Sequence, residues 1–589
     1  MRQRNEMILA DLIAMRVDQH PDLDVLTFDR SGAGGDASAD EVRTYAALAE
    51  NANRIAAALI ARGMARGERF GLMMRNHPEF VESMIAASTA ACVFVPIDPR
   101  TRGEKLSYTL RNAGARGMIC ADYCLEQIEA VRASVPDLAW ILALETGEMS
   151  DAGALIDRVG ADSLGAALSR PVPTVDVRLE TPEDPLQIIY TSGTTGDPKG
   201  VVAANSRFGL FGLLGAVFGY QSDDRPYTGL SLTHGNAQAV TLGPSLHMGL
   251  RAVFSRRFTK SRLWDVCRKH GCTTFSMLGG MATAIYSERE REDDADNPVR
   301  MVVSAGMPAA IWEAFERRFR VHIFEWYGAI EGGLAFKPIG QGPIGSFGKP
   351  VPMLEMKVVD ERGEECPPGM IGEIVSRPAT GEKASVEYFR DAEASRKKTA
   401  GGWLRSGDMG HRDADGWFFF DYRKGGEIRH NGDFVNTSFV EKVIAEHPAV
   451  GDVFVYGIPA ASGAPGERDL VAALVPAAAG PFDAASLFAA CRARLEANSV
   501  PSYLQVVDEI PKTASEKPQE RILLEQFDPQ AANVFTERAL TPRPPLPLRG
   551  EGEVSDGNPE PTSPDTRKGE TLRGVPEPPS PDTGRGGRG

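Results

Sequence analysis

A short stretch rich in hydroxyl groups and glycine has the chemistry to hold phosphate. Residues 190–200 read YTSGTTGDPKG and follow the apolar run PLQII, which predicts a buried strand that ends in a polar turn. Gly193, Gly196 and Gly200 lack a Cβ, so the backbone can approach a ligand closely. Lys199 supplies a mobile positive charge. Hydroxyl groups come from Thr191, Ser192, Thr194 and Thr195. Together these groups predict a phosphate cradle.

Two familiar nucleotide motifs do not fit this stretch. A Walker loop requires Gly-Lys-Ser/Thr five residues after its first glycine, and Pro198 stands five residues after Gly193. The dinucleotide fingerprint G-x-G-x-x-G does not occur here either. A flexible surface loop would explain the glycines and threonines, but it would not explain why they stand directly after a buried strand and are accompanied by a lysine.

Length, composition and charge set the broad class. A chain of 589 residues exceeds one ordinary core, so two or more folded units are expected. A net charge of −15 argues against a nucleic-acid partner, because phosphate contacts need clustered lysine and arginine. The amino terminus has no cleavable signal pattern, and no stretch reaches the roughly 18 apolar residues of a membrane span. These features predict a cytoplasmic, soluble protein with no integral membrane segment.

Cysteine usage also favours a reducing compartment. The 7 cysteines are scattered and odd in number, which is not typical of a disulfide framework. Cys267, His270 and Cys272 could form a metal site, but three ligands without a fourth make a poor structural zinc centre. The preferred interpretation is a helix end followed by a strand.

Alternating helix and strand patterns fill the first 420 residues. The segment VRTYAALAENANRIAAALIARG has a helical apolar period, ERFGLMM predicts a strand, PEFVESMIAASTAA a helix and CVFVPID a strand. Such alternation predicts α/β layers with parallel strands. Near residue 422 the composition changes, and a helix, a strand pair and another helix predict a second domain of about a hundred residues.

The segment from about residue 540 has a different composition. It is crowded with proline, glycine and charge, and it contains the near-repeats PEPTSPDTRKG and PEPPSPDTGRG. Few of its residues can bury a core, so residues 540–589 are predicted to be a disordered tail. Truncation after about residue 535 is expected to leave folding unchanged.

The motif at 190–200 resembles the phosphate-binding signature of the adenylate-forming (AMP-binding) superfamily, in its acyl-CoA synthetase branch. Four further motifs follow in the family's order. SAGMP at 304–308 resembles the adenine-contacting turn, and YGAIE at 327–331 resembles the motif whose glutamate helps to hold magnesium. WLRSGD at 403–408 resembles the ribose-binding segment. PKTASEKPQERIL at 511–523 resembles the segment with the catalytic lysine, and its TASEKPQ is similar to members like carnitine-CoA ligase.

The resemblance implies fold, domains and cofactors. It implies an α/β class, with a large amino-terminal domain of layered sheets and helices at 1–421 that includes a small β-barrel-like part. A small, mobile α+β domain is implied at 422–530. The implied cofactors and substrates are ATP, Mg²⁺, coenzyme A and a small-molecule carboxylic acid, and a homodimer is an assembly that the resemblance allows.

The resemblance also implies the site residues. The catalytic set is Lys517, Thr191, Glu331 and His234, with Glu331 as the metal ligand. His234 matches a residue beside the acyl pocket, where a core histidine is the alternative. The nucleotide-binding set is Thr191, Ser192, Gly193, Thr194, Thr195, Gly196, Lys199, Ala305, Gly306, Tyr327, Gly328, Asp408 and Arg423.

Some positions depart from the family pattern or imitate another one. Ile330 replaces a threonine, Gly425 a hinge residue and Glu516 a glycine. Gly279 and Gly280, in SMLGGMATAI, would leave room for a bulky acyl group. VGADSLGAAL resembles a carrier-domain attachment site at Ser163, but phosphate-loop sequence begins too soon after it, so a loop leading into a helix is preferred.

Two function classes remain open on the sequence. The first is an acyl-CoA ligase that makes an acyl-adenylate and then a CoA thioester. The second is a stand-alone adenylation module that loads a carrier protein. No carrier, condensation or reductase region is recognised in this sequence, which favours the first.

Overall fold

The computed structural model describes most of the chain up to residue 537. The described residues are 3–31, 40–191, 197–286, 288–423, 428–430, 433–435, 437–461, 467–477, 482–511, 518 and 520–537. The predicted tail at 540–589, the hinge position Gly425 and Glu516 lie outside them.

The helices arise where apolar residues recur with helical spacing. In α2, for example, Leu48, Ile55 and Leu59 are buried on one face, and the Thr44 hydroxyl caps the first turn by accepting from the Ala47 N–H at 3.1 Å. The helices are α1 Leu9–Gln19, α2 Tyr45–Ala61, α3 Pro78–Ala90, α4 Gly103–Ala113, α5 Leu125–Arg132, α6 Ala152–Val159, α7 Leu164–Leu168, α8 Asn205–Phe218, α9 Gly243–Met248, α10 Leu263–His270, α11 Gly279–Tyr286, α12 Trp312–Phe319, α13 Ala392–Lys398, α14 Thr437–Ala445, α15 Ala484–Arg494 and α16 Glu520–Glu525.

The strands are short and mostly buried along their length, as expected where helices cover both faces of a parallel sheet. They are β1 Asp24–Asp29, β2 Glu41–Thr44, β3 Arg69–Met73, β4 Val93–Pro96, β5 Ala115–Ala121, β6 Trp140–Leu144, β7 Asp162–Ser163, β8 Pro185–Thr191, β9 Lys199–Ala204, β10 Pro226–Thr228, β11 Ala252–Ser255, β12 Thr274–Leu278, β13 Met301–Ala305, β14 His322–Ala329, β15 Gly332–Lys337, β16 Ser346–Pro350, β17 Leu354–Val359, β18 Gly372–Pro378, β19 Leu404–Arg412, β20 Phe418–Arg423, β21 Ile428–His430, β22 Asp433–Val435, β23 Val450–Pro459, β24 Arg468–Pro476, β25 Tyr503–Val506 and β26 Val534–Phe535.

Two large sheets form the amino-terminal part. One has the strand order β7-β6-β5-β3-β4-β8-β9, and its strands are parallel except for the β8–β9 hairpin. The other contains the parallel run β14-β13-β12-β10-β11-β1, with β2 antiparallel at its end. Helices α2 and α3 pack in the core beside the first sheet, and every residue of α3 is buried. The predicted α/β layering is confirmed.

The second sheet changes direction after β14. From β15 onward its strands β15, β16, β20, β19, β18 and β17 pair antiparallel in that order. This corrects the expected barrel-like part: among the described residues, β17 ends the sheet as an edge strand next to β18 and no closed barrel forms. The antiparallel strands instead extend the open sheet.

The smaller carboxy-terminal part has its own sheet and core. Strands β23, β24, β25 and β26 form one sheet, and α14 and α15 contribute to a buried cluster that includes Val440, Leu470, Leu487 and Leu504. The large and small α/β organisation predicted from the sequence is confirmed, while the boundary near residue 421 stays a prediction.

The structure moves the expected truncation point towards the carboxy terminus. Strand β26 pairs with β25, the ring of Phe535 lies 6.4 Å from that of Phe482, and Glu537 forms an ion pair with Arg492. We therefore predict that truncation after residue 540 leaves the melting temperature unchanged. Truncation after residue 532, which removes β26, should lower it by several degrees, since a shift of about 1 kcal/mol moves Tm measurably. Equal melting temperatures of the two truncated proteins, measured by calorimetry, would contradict this assignment of β26.

Candidate active site

The carboxyl ends of parallel strands from both sheets meet at one edge. In open α/β sheets, ligands bind in the crevice outside these ends. Asn76, which follows β3, donates its amide N–H groups to the Leu230 and Ser255 carbonyls at 2.9 Å each and accepts from the Leu232 N–H at 2.8 Å. This fully buried side chain joins the end of the first sheet to the segments that follow β10 and β11 in the second.

The predicted adenine turn begins where β13 ends. Ala305 is the last residue of β13, and Gly306 has φ +91°, a conformation that favours glycine. A Cβ built on Gly279, the first residue of α11, would lie 2.1 Å from the Gly306 carbonyl oxygen. Glycine at 279 is therefore required by the close approach of two backbones, and it is not evidence for a roomy acyl pocket.

The buried carboxylate of Glu325 holds the same turn through hydrogen bonds. Glu325 Oε1 accepts hydrogen bonds from the backbone N–H groups of Gly306 and Met307, the latter at 3.1 Å. Burial raises the pKa of Glu325 to about 8, against the opposing effect of the two backbone hydrogen bonds and of Lys337. Glu325 thus ties strand β14 to the turn that is predicted to hold adenine.

The predicted ribose-binding carboxylate lies across from Tyr327. The Tyr327 hydroxyl donates to Asp408 Oδ2, and the Asp408 backbone N–H donates to the Ser406 hydroxyl at 2.9 Å. The Tyr327 ring stacks on Phe347 with ring centroids 4.5 Å apart. Strands β14 and β19 are thereby linked at the site, and Gly328 follows in β14 with its backbone exposed.

A second carboxylate lies at the turn after β14. Glu331 is buried, and its Oε1 accepts from the Tyr388 hydroxyl at 3.1 Å. The Lys199 ammonium lies 5.6 Å from the centre of the Tyr388 ring. The structure therefore brings the predicted metal ligand and the predicted phosphate-binding lysine to the same tyrosine, one at its hydroxyl and the other over its ring.

The phosphate signature is described only at its two ends. Thr191 is the last residue of β8, and it pairs with Lys199, the first residue of β9. The Thr191 hydroxyl donates to the Lys199 carbonyl at 3.4 Å. The backbone of Arg423 pairs with Asp408. The predicted site residues that lie outside the described residues are Ser192, Gly193, Thr194, Thr195, Gly196, Lys517 and the side chain of Arg423.

His234 is a surface residue and not a core histidine. Its side chain is 54% exposed, and its Nε2 lies 3.6 Å from Asp98 Oδ2. Burial disfavours the charged form of Asp98, but hydrogen bonds from His234 and Arg100 outweigh it and hold the pKa of that carboxyl well below its usual range. Asp98 follows β4, so His234 lies at the shared strand edge.

One pocket collects residues from two of the predicted motifs, YGAIE at 327–331 and WLRSGD at 403–408. Tyr327, Glu331 and Asp408 line it together with Ser406 and Lys398. Lys398 donates to the Ser406 carbonyl at 3.1 Å. A nucleotide site needs hydroxyl and carboxylate acceptors for ribose beside cations for phosphate, and this edge of the sheet supplies both.

Contacts to the smaller carboxy-terminal part start next to the site. Arg100 forms ion pairs with both Asp98 and Asp433, at 2.9 and 3.3 Å. Lys105 Nζ lies 2.9 Å from Glu496 Oε1. The segment that contains Asp98 therefore also carries the residues that hold the small domain.

Several residues of the site were not identified from the sequence. Tyr388 and Asn76 occur in no motif that marks them. Glu325 gave a detectable signal, since a glutamate inside the apolar strand HIFEWYG is unusual and a buried carboxylate needs partners.

The two alternative motifs have structural explanations. The Ser163 hydroxyl caps α7 by accepting from the Ala166 N–H at 3.1 Å, so it acts as a helix cap. Cys267 and Cys272 are buried, whereas His270 Nε2 lies 3.2 Å from Asp29. The Lys269 ammonium donates to the Asp29 carboxylate at 2.7 Å, so this carboxylate already has a positively charged partner. Among the described residues, no helix is long and apolar enough to cross a bilayer.

The close approach of Gly279 to Gly306 gives a direct prediction. Gly279→Ala should displace the 304–307 turn and weaken AMP binding about tenfold or more, since overpacking costs about 1–3 kcal/mol. Isothermal calorimetry with AMP measures the change. Gly153→Ala is the matched control, because a Cβ at Gly153 meets nothing within 4 Å. Unchanged AMP affinity in Gly279→Ala would show that this turn does not hold the nucleotide.

The buried Glu325 makes stability depend on pH. Because its pKa in the folded protein is raised to about 8, its favourable contribution is complete below the ordinary carboxyl pKa and is lost as pH rises through about 8. Glu325→Gln should therefore gain stability relative to the wild type by on the order of 1 kcal/mol per pH unit between about pH 6 and pH 8. Urea unfolding at several pH values tests this, with the exposed Glu313→Gln as control. A pH-independent difference between Glu325→Gln and the wild type would refute the raised pKa.

Comparison with known proteins gives the family. A family model described as AMP-binding enzyme matches residues 13–381, and one described as AMP-binding enzyme C-terminal domain matches residues 440–517. The chain is 30% identical over 472 residues to the medium/long-chain-fatty-acid–CoA ligase FadD17 of Mycobacterium marinum, covering 79% of this chain and 87% of that protein.

One further relative and one solved structure are also similar to the chain. The crotonobetaine/carnitine–CoA ligase of Salmonella paratyphi A is 26% identical, over 80% of this chain and 91% of that protein. The o-succinylbenzoate CoA synthetase of Bacillus subtilis has the same fold, with a TM-score of 0.72 at 21% identity over 87% of this chain and 98% of that chain. The predicted enzyme class, an AMP-forming acid–thiol ligase, is confirmed, and the chain belongs to the AMP-binding enzyme family.

Proposed function

We propose that this acyl-CoA ligase forms its acyl-adenylate at the carboxyl ends of β13 and β14. A carboxylate oxygen of the acid attacks the α-phosphorus of ATP, and pyrophosphate leaves. The thiol of coenzyme A then attacks the acyl carbon, its proton is released, and AMP leaves with the oxygen that joined it to the acyl group.

The observation that carries this proposal is the placement of Tyr327, Glu331 and Asp408 in one pocket. Tyr327 is on β14, which pairs with β13 and holds the 304–307 turn through Glu325. Asp408 accepts from the ribose hydroxyls, next to the hydroxyl of Tyr327 that already donates to it. Ala305 and Gly306 present backbone to the adenine. This arrangement supports a nucleotide site with its phosphates directed towards Glu331 and Lys199.

The phosphate end is proposed to combine hydroxyl groups, cations and a magnesium ligand. Thr191 and Lys199 flank the signature loop, and Lys199 is positioned over the Tyr388 ring. The Glu331 carboxylate offers hard oxygen of the kind that Mg²⁺ takes in combination with phosphates. Magnesium, when bound there, neutralises phosphate charge. Lys199 holds phosphoryl oxygens and stabilises the charge that builds up as pyrophosphate leaves.

The small domain at 422–530 is proposed to supply Lys517 for the first half-reaction and to rotate away for the second. Its contact through Arg100 and Asp433 is an ion pair at the surface, which breaks at little cost, whereas the ion pair of Lys105 with Glu496 is more buried. Such contacts are compatible with domain movement during turnover.

The alternative function is adenylation followed by transfer to a carrier protein. Both functions share the first half-reaction, so only the acceptor separates them. Detection of a CoA thioester by mass spectrometry supports the ligase, whereas acyl transfer only to a phosphopantetheinyl carrier supports the alternative.

A panel of carboxylic acids identifies the substrate. We expect pyrophosphate release that depends on ATP, on magnesium and on one class of acid, followed by thioester formation when coenzyme A is added. The panel should include fatty acids of several lengths and crotonobetaine or carnitine, because these acids occur in the names of relatives. Release of pyrophosphate without any acid dependence would overturn the proposed reaction.

Lys517 is predicted to act in only one half-reaction. Lys517→Ala should slow adenylate formation by about 10²–10³ or more, the usual effect of removing one preorganised charge. The same variant should convert a supplied acyl-adenylate to the CoA thioester at nearly the wild-type rate. Lys512→Ala, in the same segment, is the matched control and should retain both steps. Normal acid-dependent pyrophosphate release by Lys517→Ala would disprove the role assigned to this lysine.

A further inference from the structure

A second cation, besides Lys199, lies near Glu331. Arg207, in the first turn of α8, donates a guanidinium N–H to the carbonyl of Ile330. That carbonyl belongs to the peptide that leads directly into Glu331. The Ile330 side chain packs with Val201 and Tyr388, so Arg207 is at the same end of the site as the tyrosine that contacts Lys199 and Glu331.

The segment that carries His234, which is predicted to lie beside the acyl pocket, also approaches Ile330. A Cβ built on Gly235 would lie 3.8 Å from Ile330 Cδ1, which brings the residue after His234 against Ile330. Arg207 is therefore near the point where the segment that carries His234 meets the turn that carries Glu331. In the proposed reaction, the acid and the α-phosphate must come together between these two segments.

The positive charge of the Arg207 guanidinium is not balanced by an ion pair within the described residues. It forms no ion pair with any residue in the part of the chain that the structure describes, and the first turn of α8 contains no acidic residue. The amino-terminal end of a helix carries partial positive charge and favours anions, so a cation there is disfavoured unless an anion is supplied. Burial also lowers the pKa of Arg207, and the charge of nearby Glu331 opposes this shift only in part.

We propose that Arg207 binds an anionic oxygen of the adenylation reactants, either on the nucleotide phosphate or on the carboxylate of the acid. A planar guanidinium with several N–H donors can bond the Ile330 carbonyl and an oxyanion at the same time. Arg207 then holds the reacting groups from the α8 side while Lys199 holds phosphate from the β9 side. This inference rests on the proposed function for the identity of the reactants.

Two substitutions separate charge from packing. Arg207→Gln removes the charge and keeps a side-chain N–H donor, whereas Arg207→Lys keeps the charge. We expect Arg207→Gln to lower kcat/KM for acid-dependent pyrophosphate release by about 10² and Arg207→Lys to recover at least about tenfold of that loss. Arg300→Gln is the matched control, because Arg300 is ion-paired with Asp224 at the opposite end of β13. Melting temperatures of all variants report on folding.

Two measurements identify the source of the oxyanion. Weaker AMP binding by Arg207→Gln with unchanged adenosine binding, both measured by calorimetry, assigns Arg207 to the phosphate. A raised KM for the acid with unchanged AMP binding assigns it to the carboxylate. AMP binding requires no turnover, so this measurement reports on Arg207 even if the proposed reaction fails in the wild type.

The inference is overturned by either of two results. One is an Arg207→Gln variant with wild-type AMP binding and wild-type KM and kcat for the acid. The other is an equal loss in Arg207→Gln and Arg207→Lys accompanied by an equal fall in melting temperature, which would show that Arg207 only positions the Ile330 peptide.

Discussion

The site depends on two buried carboxylates that each accept a hydrogen bond from a tyrosine hydroxyl of another element. A carboxylate that leaves water needs donors, or its burial is costly. Asp408 on β19 accepts from Tyr327 on β14, and Glu331 after β14 accepts from Tyr388 in the loop before α13. The first bond ties the parallel part of the sheet to its antiparallel extension, and the second ties the turn after β14 to the loop before α13, at the point where the nucleotide is proposed to bind. The carboxylates then face the pocket with defined orientations.

The neighbouring strand ends and the Gly306 turn form the rest of the site beside Asp408 and Glu331. Strands β12 and β13 end side by side, and the contact of Gly279 with Gly306 leaves no room for a side chain between them. Glu325 holds the Gly306 turn from within the sheet. Asn76 joins the first sheet to the second at the same edge. The turn that is proposed to hold adenine is consequently fixed by the packing of rigid elements, and a ligand that binds there does not have to order it.

Much of this was predictable from the sequence, and the limits have physical reasons. The strand β8 that leads into YTSGTTGDPKG and helices such as α2 and α3 follow from apolar periodicity, and the carboxylates Glu331 and Asp408 follow from motifs local in the chain. The open antiparallel extension was expected to be barrel-like, because pairing between strands distant in sequence, such as β16 with β20, cannot be read from local patterns. Tyr388 and Asn76 were missed for the same reason, since their partners lie far away in the chain.

The central claim is that this family member activates an acid by attaching it to the α-phosphate, and the fate of the acid's oxygen tests it most directly. An acid labelled with oxygen-18 in its carboxylate should be converted with ATP, magnesium and coenzyme A, and the products analysed by mass spectrometry. We expect AMP that carries a single labelled oxygen atom, because the oxygen that attacks phosphorus leaves with AMP when the thiol attacks the acyl carbon. Label in pyrophosphate, or unlabelled AMP together with labelled inorganic phosphate, would contradict it.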